Sequence, residues 1–296
     1  MILVRNDLDM FEACSTNYGF NEIKERPNGK DLTDLYIILR NQLKDYYINP
    51  IDAIPAFVDP VNAKHYWKSG DVDYGKMNLS WDDALYTLHA IYADYPLLFF
   101  SDQYTTGGSP QKGIVSPLID AECARGDFRQ FYVKKIEEEI RSSVKELEMT
   151  SSCRDAAYYV YTLMGKASYD HSKGDKNKIS YVDVPSHSIL NYVRNRSGVC
   201  EGFAHTYQAI MSYISVPAVT VIVYSKDGAH ACNIVYLTDE KKWIMVDATV
   251  SVSNKIDNGF DMPPGTYKRI ERSPNAGEYY QYMTTNDYIW NRYING

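Results

Sequence analysis

Between Ser186 and Ser251 the spacing of apolar residues switches from a helical to an extended period, and few folds accommodate that order. Phe203, Tyr207, Ile210, Met211 and Ile214 recur at three- and four-residue steps, and Gly198 is a natural breaker just before them. The spacing predicts a buried helix with Cys200 in its first turn. Ala231 to Leu237 and Lys242 to Val246 then read as two strands joined by the polar turn Asp239-Glu240-Lys241. A helix followed by an antiparallel hairpin leaves three reactive side chains, Cys200, His230 and Asp247, at element boundaries.

Those residue types suit one chemistry. Unpaired N–H groups and the dipole at a helix start favour an anion, which raises the thiolate fraction of a cysteine there. An imidazole within reach would share a proton with the sulfur and keep it nucleophilic at neutral pH. In the predicted hairpin the start of one strand lies beside the end of the other, so Asp247 would reach His230. It could then fix the ring's tautomer and stabilise the imidazolium.

Four motifs run through this segment in order: Gly198-Val199-Cys200-Glu201-Gly202-Phe203-Ala204, Val216-Pro217-Ala218, His230-Ala231-Cys232-Asn233, and Trp243 with Val246-Asp247-Ala248-Thr249. Together they resemble the transglutaminase-like superfamily, whose pattern reads roughly GVCxGYA, GIPA, HAWN, then W with VDxT. The resemblance covers residues 153 to 255 and extends more faintly upstream, where Tyr169-Asp170 and Tyr95-Pro96-Leu97-Leu98-Phe99 are similar to features of bacterial members. It implies an α+β fold: a papain-like or transglutaminase-like core whose nucleophile helix packs on an antiparallel sheet. It also implies Cys200 as nucleophile, His230 as general base and acid, and Asp247 as orienting carboxylate. Three departures bear on substrate shape: Cys232 stands where tryptophan is usual, Ser215 precedes Val216-Pro217 where glycine is usual, and Val250 follows Thr249.

The function these readings support is acyl transfer through a thioester on peptide or glutamine amide bonds, as peptidase, deamidase or transglutaminase. The competing reading is a non-catalytic peptide- or glycan-binding module on the same fold, with Cys232 its best support. An oxyanion hole would need the Cys200 N–H and one further donor; His187, Ser188, Asn191 and Tyr192 are the oxyanion or cleft candidates. His205 lies five residues after Cys200, and at about 100° per residue it faces elsewhere on the helix, in a packing or surface role. Phe203 and Trp243 read as core. A zinc set of Cys200, His230, Cys232 and His187 is the rival use of these residues, but it lacks a C-x-x-C pair. No cofactor and no metal are expected.

Composition narrows the partners. The chain has 296 residues, 45% of them hydrophobic, and 38 acidic against 31 basic side chains give a net charge of −7. Such a balance argues against a nucleic acid or an anionic membrane as partner, and the resemblance implies a protein or peptide substrate. No apolar run approaches the ~18 residues of a membrane span, and residues 1 to 20 lack a signal peptide's apolar core. The expected compartment is cytoplasmic for the chain as given, or secreted or surface-exposed if a leader is removed. Five cysteines without C-x-x-C suggest neither a disulfide framework nor a zinc ribbon. The 27 tyrosines suit amphipathic grooves as well as ordinary core and surface use.

The remaining chain divides near residue 150. Residues 1–150 read as a mainly helical region with a β-hairpin, and 151–296 as the core with an aromatic C-terminal tail. Residues 1–30 look like a poorly defined arm or short elements. Helices are expected over Asp31 to Tyr47, from the capping box Ser80-Trp81-Asp82-Asp83 to Ala93, over Phe128 to Leu147, and from Cys153 to Met164 behind a Ser152 cap. A short helix is expected over Ser186 to Val193. Leu97–Tyr104 and Gly113–Ile119 form the hairpin, whereas 49–78 reads as loop with room for a short helix or strand, and 251–265 as loop. The polar stretch His171 to Asp183 reads as a surface loop or the edge of a substrate groove.

Overall fold

The computed structural model describes residues 2–59, 64–147, 152–171, 184–226, 228–254, 257–269 and 287–295. Most of the expected loop 171–183 and Tyr279, Tyr280 and Tyr282 of the tail lie outside the described residues.

The architecture is α+β with antiparallel main sheets. In chain order the first half contains α1 (Met10–Ala13), α2 (Tyr18–Lys24), α3 (Gly29–Ile48), β1 (Ile54–Val58), β2 (His65–Lys68), β3 (Val72–Asp73), α4 (Trp81–Asp94), β4 (Ser101–Ser109), β5 (Ile114–Ile119) and α5 (Gly126–Ser143). Then come α6 (Cys153–Met164), β6 (Ser168–Tyr169), α7 (Ile189–Asn195), β7 (Ser197–Gly198), α8 (Cys200–Tyr213), β8 (Ala218–Ser225), β9 (Gly228–Leu237), β10 (Lys242–Val246), α9 (Ala248–Asn254), β11 (Lys268–Arg269) and α10 (Asp287–Asn295). Strands β10-β9-β8-β11 form one antiparallel sheet, and β1-β2-β5-β3 with β4 on β5 form the other. The single parallel pairing among the described strands is the two-residue bridge β6–β7.

Sequence patterning and structure agree on the long helices, and the Ser80–Asp83 capping box forms in both directions. They part where elements are short. Residues 49–78, expected as loop with room for a short helix or strand, hold three strands, β1 to β3, of two to five residues, with a bulge in β1 between Pro55 and Phe57. The N-terminal arm is two helices. The loop expected over 251–265 starts as α9 instead: Ala-Thr-Val-Ser-Val-Ser has little intrinsic helix propensity, but the Asp247 carboxylate accepts the Thr249 N–H at 3.0 Å and so caps the first turn. Strand β8 had no periodic signal because it is buried on both faces from Ala218 to Val223. Ser215 explains the glycine of the resembled pattern, since its φ of 60° is left-handed.

One apolar cluster runs through both sides of residue 150, from Leu35, Leu88, Phe99 and Ile136 to Tyr207, Ile210, Val235 and Val246. Two buried polar residues tie its helices. Arg129 on α5 donates from Nε to the Tyr46 carbonyl in the last turn of α3 (2.8 Å), from Nη1 to the Cys123 carbonyl just before α5 (2.7 Å) and from Nη2 to the Ile51 carbonyl beyond α3. Asp94 at the end of α4 accepts from Thr16 Oγ1, the Gly19 and Phe20 N–H groups and the Tyr36 hydroxyl, at 2.6–2.8 Å. It thereby holds α2 and α3 to α4.

Burial pushes the Asp94 carboxyl up to about 6, against the pull of those four donors. A carboxyl raised in this way makes the fold lose stability as pH rises from about 4 to about 6, because the folded state binds the proton more tightly. Asp94→Ala strands four buried donors and is expected to cost roughly 3 kcal/mol or more, read as a fall in urea midpoint with an unchanged slope.

Candidate active site

Residues 134–248 carry every side chain of this site except those of Tyr104 and Tyr267, and their backbone is set first. The pairing of β6 with β7 brings Tyr169 beside Gly198, with the Asp170 N–H donating to the Gly198 carbonyl at 2.9 Å. Val199 is extended (φ −100°, ψ 178°) and caps α8, so Cys200 is the first helical residue and the helix start points at its sulfur. Gly202 permits this placement: a Cβ there would stand 2.5 Å from the Ser186 carbonyl oxygen and 3.2 Å from that of Ser188. From Glu201 to Tyr213 every residue of α8 is buried, so the half-buried Cys200 is where the helix meets solvent.

His230 is the third residue of β9 and pairs with Val223 of β8. Asp247 follows the last residue of β10, whose pairing Val246↔Asn233 sets the end of β10 beside the middle of β9, three residues past His230. His230 Nε2 lies 2.8 Å from Asp247 Oδ2. The same oxygen accepts the Tyr267 hydroxyl at 2.5 Å, and Oδ1 takes the Thr249 N–H. Nε2 is committed to the carboxylate, and the Cys200 side chain is near enough for its charge to act on the same ring.

The electrostatics follow from that arrangement. Burial acts to lower the His230 pKa, but its hydrogen bond to Asp247 and the negative charges of Asp247 and Cys200 outweigh burial and push it up to about 10. Burial, followed by the charge of the Cys200 sulfur, pushes the Tyr169 phenol up to about 12. Tyr267, packed on the His230 ring at 5.5 Å between centroids, is raised further by burial and by Asp247.

A second polar cluster lies one row around α8. Glu201, 4% exposed, accepts from His187 Nδ1 at 2.8 Å and from the Tyr104 hydroxyl of β4, which itself lies 2.5 Å from His187 Nδ1. Burial would raise the Glu201 carboxyl, but the His187 hydrogen bond and charge carry it below the ordinary glutamate range. His205 is buried here, and desolvation lowers its pKa.

The four cleft candidates are thus accounted for individually. His187 turns Nδ1 to Glu201 and Tyr104. Ser188 caps α7, accepting the Leu190 N–H and donating to the Pro185 carbonyl. Asn191 bonds Ser197 Oγ and Asn195. Tyr192 is in the core against Phe203, under the Arg196 guanidinium. None of these contacts is with Cys200 Sγ. Tyr169, whose phenol feels the charge of the Cys200 sulfur, and Tyr267, which donates to Asp247, are site residues that sequence reasoning missed. Tyr169 arrives through a two-residue bridge to a segment about thirty residues away, and Tyr267 follows the turn at Pro263-Pro264-Gly265; neither leaves a periodic signal. Cys232, where the resembled pattern has tryptophan, is 1% exposed in a cluster with Val221, Met245, Ile289 and Trp290.

Residues 134–248 match the family model of the Transglutaminase-like superfamily, a span running from inside α5 to the first residue of α9. The chain is similar to that superfamily over this segment, which is less than half of its length. Two solved structures are similar in part. A protein from Cytophaga hutchinsonii described as a candidate cysteine protease is 23% identical over 43% of this chain and 40% of its own, with a TM-score of 0.31. A TGase is 19% identical over 54% of this chain and 49% of its own, with a TM-score of 0.37. The chain thus spans less than half of either. No match is found among the curated proteins.

A histidine raised in the fold contributes stability that is complete below its unfolded value of 6.5 and lost as pH climbs through about 10. Asp247→Asn removes the carboxylate that holds the ring charged. The His230 C2–H resonance, followed by NMR, is expected to titrate near 10 in the wild-type protein and at least ~1 unit lower in the variant.

Proposed function

We propose that the chain is a cysteine-nucleophile acyl-transfer enzyme acting on peptide or glutamine amide bonds, with Cys200, His230 and Asp247 as its triad. The observation that carries this reading is the His230 ring, 2.8 Å from a buried carboxylate and within the electrostatic reach of a half-buried cysteine at a helix start.

The steps balance with these residues alone. The Cys200 thiolate attacks the amide carbon, and the oxygen takes the negative charge of a tetrahedral intermediate. The His230 imidazolium gives its proton to the leaving nitrogen as the C–N bond breaks, and an amine or ammonia departs, leaving a thioester. The now neutral ring takes a proton from water as that water attacks the thioester, releasing a carboxylic acid and restoring the thiolate–imidazolium pair. A primary amine in place of water gives a new amide. Asp247 keeps Nε2 protonated throughout and stabilises the charged ring, as the third member of a triad does.

The developing oxyanion needs donors at the helix start. The Cys200 N–H is one, and we assign the Tyr169 hydroxyl as the second, because the β6–β7 bridge sets Tyr169 beside Gly198, two residues before Cys200, and its phenol feels the charge of the sulfur. Its elevated pKa keeps the phenol protonated, and hence a donor, across the working range. Tyr267 is a positioning residue, acting through Asp247.

Selective alkylation of Cys200 by iodoacetamide near neutral pH is expected, with the rate falling at least about tenfold in His230→Ala. Retention of the full rate in that variant would count against the triad. With peptide, glutamine-amide and amine substrates screened against a Cys200→Ala blank, Tyr169→Phe is expected to lower kcat by ~10²-fold with little change in KM. Turnover surviving in Cys200→Ala would end the proposal.

A further inference from the structure

The hairpin that carries His230 and Asp247 has a second end, and its side chains take no part in the site. Trp243 and Tyr236 pair across β10 and β9, their rings 4.7 Å apart and tilted by 38°. Tyr18, at the start of α2, meets Trp243 edge-on at 6.1 Å. Trp243, a motif residue expected in the core, is only partly buried. With Lys241 and with Asn291, Arg292 and Asn295 of α10, these rings line a groove of about 680 Å³. That volume is in the range of built ligand sites, about 300–1,000 Å³.

Charge selects the occupant. The chain carries a net charge of −7, yet the described residues lining this groove include two cations and no carboxylate. The neighbouring acids of the hairpin turn are drawn away. Asp239 accepts the Cys153 N–H at 2.8 Å, and Glu240 takes both Arg154 Nε and Nη2 at 2.7 and 2.8 Å. Lys242 is held by Asp261 at 3.0 Å. Lys241, exposed and at a left-handed φ of 53°, lines the groove and has no ion pair among the described residues. Tryptophan, tyrosine and arginine are the residues that dominate peptide-binding hot spots, and a cationic rim selects partners by sign.

We propose that this groove docks an acidic peptide segment, with an aromatic or aliphatic side chain seated against Trp243 and Tyr18 and a flanking carboxylate on Lys241. The site is distinct from the thiol chemistry. Trp243 lies four residues before Asp247, about 13 Å along the strand, and α10 covers the sheet between them with Ile289 and Trp290 against Cys232 and Met245.

The test is fluorescence anisotropy of a labelled Glu-Glu-Tyr-Glu-Glu peptide titrated with the full chain carrying Cys200→Ala, so that no turnover is involved and the result is independent of the proposed activity. Saturable binding is expected. It should weaken at least about tenfold in Lys241→Glu and between ~0.05 and ~0.5 M NaCl, and be absent for a Ser-Ser-Tyr-Ser-Ser probe. Lys241 is an exposed turn residue, so its reversal leaves the fold intact, which near-UV circular dichroism checks. No saturation by ~1 mM peptide, or equal affinity in Lys241→Glu, overturns the proposal. So does stronger binding of an oligo-uronate that displaces the peptide, which assigns the groove to acidic saccharides. A concentration-dependent dimer lost in Lys241→Glu assigns it to a second copy of the chain and likewise overturns the proposal.

Discussion

A carboxylate that is 1% exposed has to be met by donors or it costs the fold several kcal/mol, and Asp247 is met by three. Each donor fixes a different part of the molecule. The His230 contact requires the β9–β10 register, the Thr249 N–H starts α9, and the Tyr267 hydroxyl holds the chain beyond Pro264 over the imidazole. The Asp247 N–H itself donates to the Gly259 carbonyl at 2.7 Å, so the backbone is pinned as well as the side chain. The ring's elevated pKa follows from these contacts: the carboxylate cannot withdraw, so the histidine beside it is held in its charged form.

The nucleophile end is anchored differently, by close backbone approach and a shared polar cluster. Gly202 lets α8 lie against the turn at Ser186, and Glu201 reaches through His187 to Tyr104 on the other sheet. Further along the same helix, Gln208 donates to the Ala93 carbonyl and accepts the Thr220 N–H, crossing from α4 to β8. These links join the first half of the chain to the segment that matches the superfamily. The continuous apolar cluster across residue 150 fits with that.

Cys200, His230 and Asp247 could be read from sequence because each closes or opens a segment with clear periodicity, and because residues at hairpin ends have one geometric option. The long helices were legible for the same reason, through caps such as Ser80 and Ser152. What escaped lacks periodicity. Tyr169 depends on two bridged residues, Tyr267 on a turn, and β8 on burial of both faces, which removes alternation. The start of α9 comes from a tertiary hydrogen bond rather than from the propensity of its residues. Ser188, Asn191 and Tyr192 look like cleft residues by nearness in sequence to Cys200, but α7 turns them toward capping and packing.

The tip of the β9–β10 ribbon is strapped to α6 through Arg154 and Cys153, while its other end presents the imidazole. Five consecutive paired positions connect the two ends, so a one-residue frame shift inside either strand would move the ring by about 3.3 Å and reverse its face. Extra residues introduced inside the ribbon are therefore transmitted to the reacting groups, whereas extra residues placed at the turn, between the strap and Lys241, bulge outward into solvent. Length variation among natural versions of this hairpin should accordingly collect at its tip and be missing from its strands.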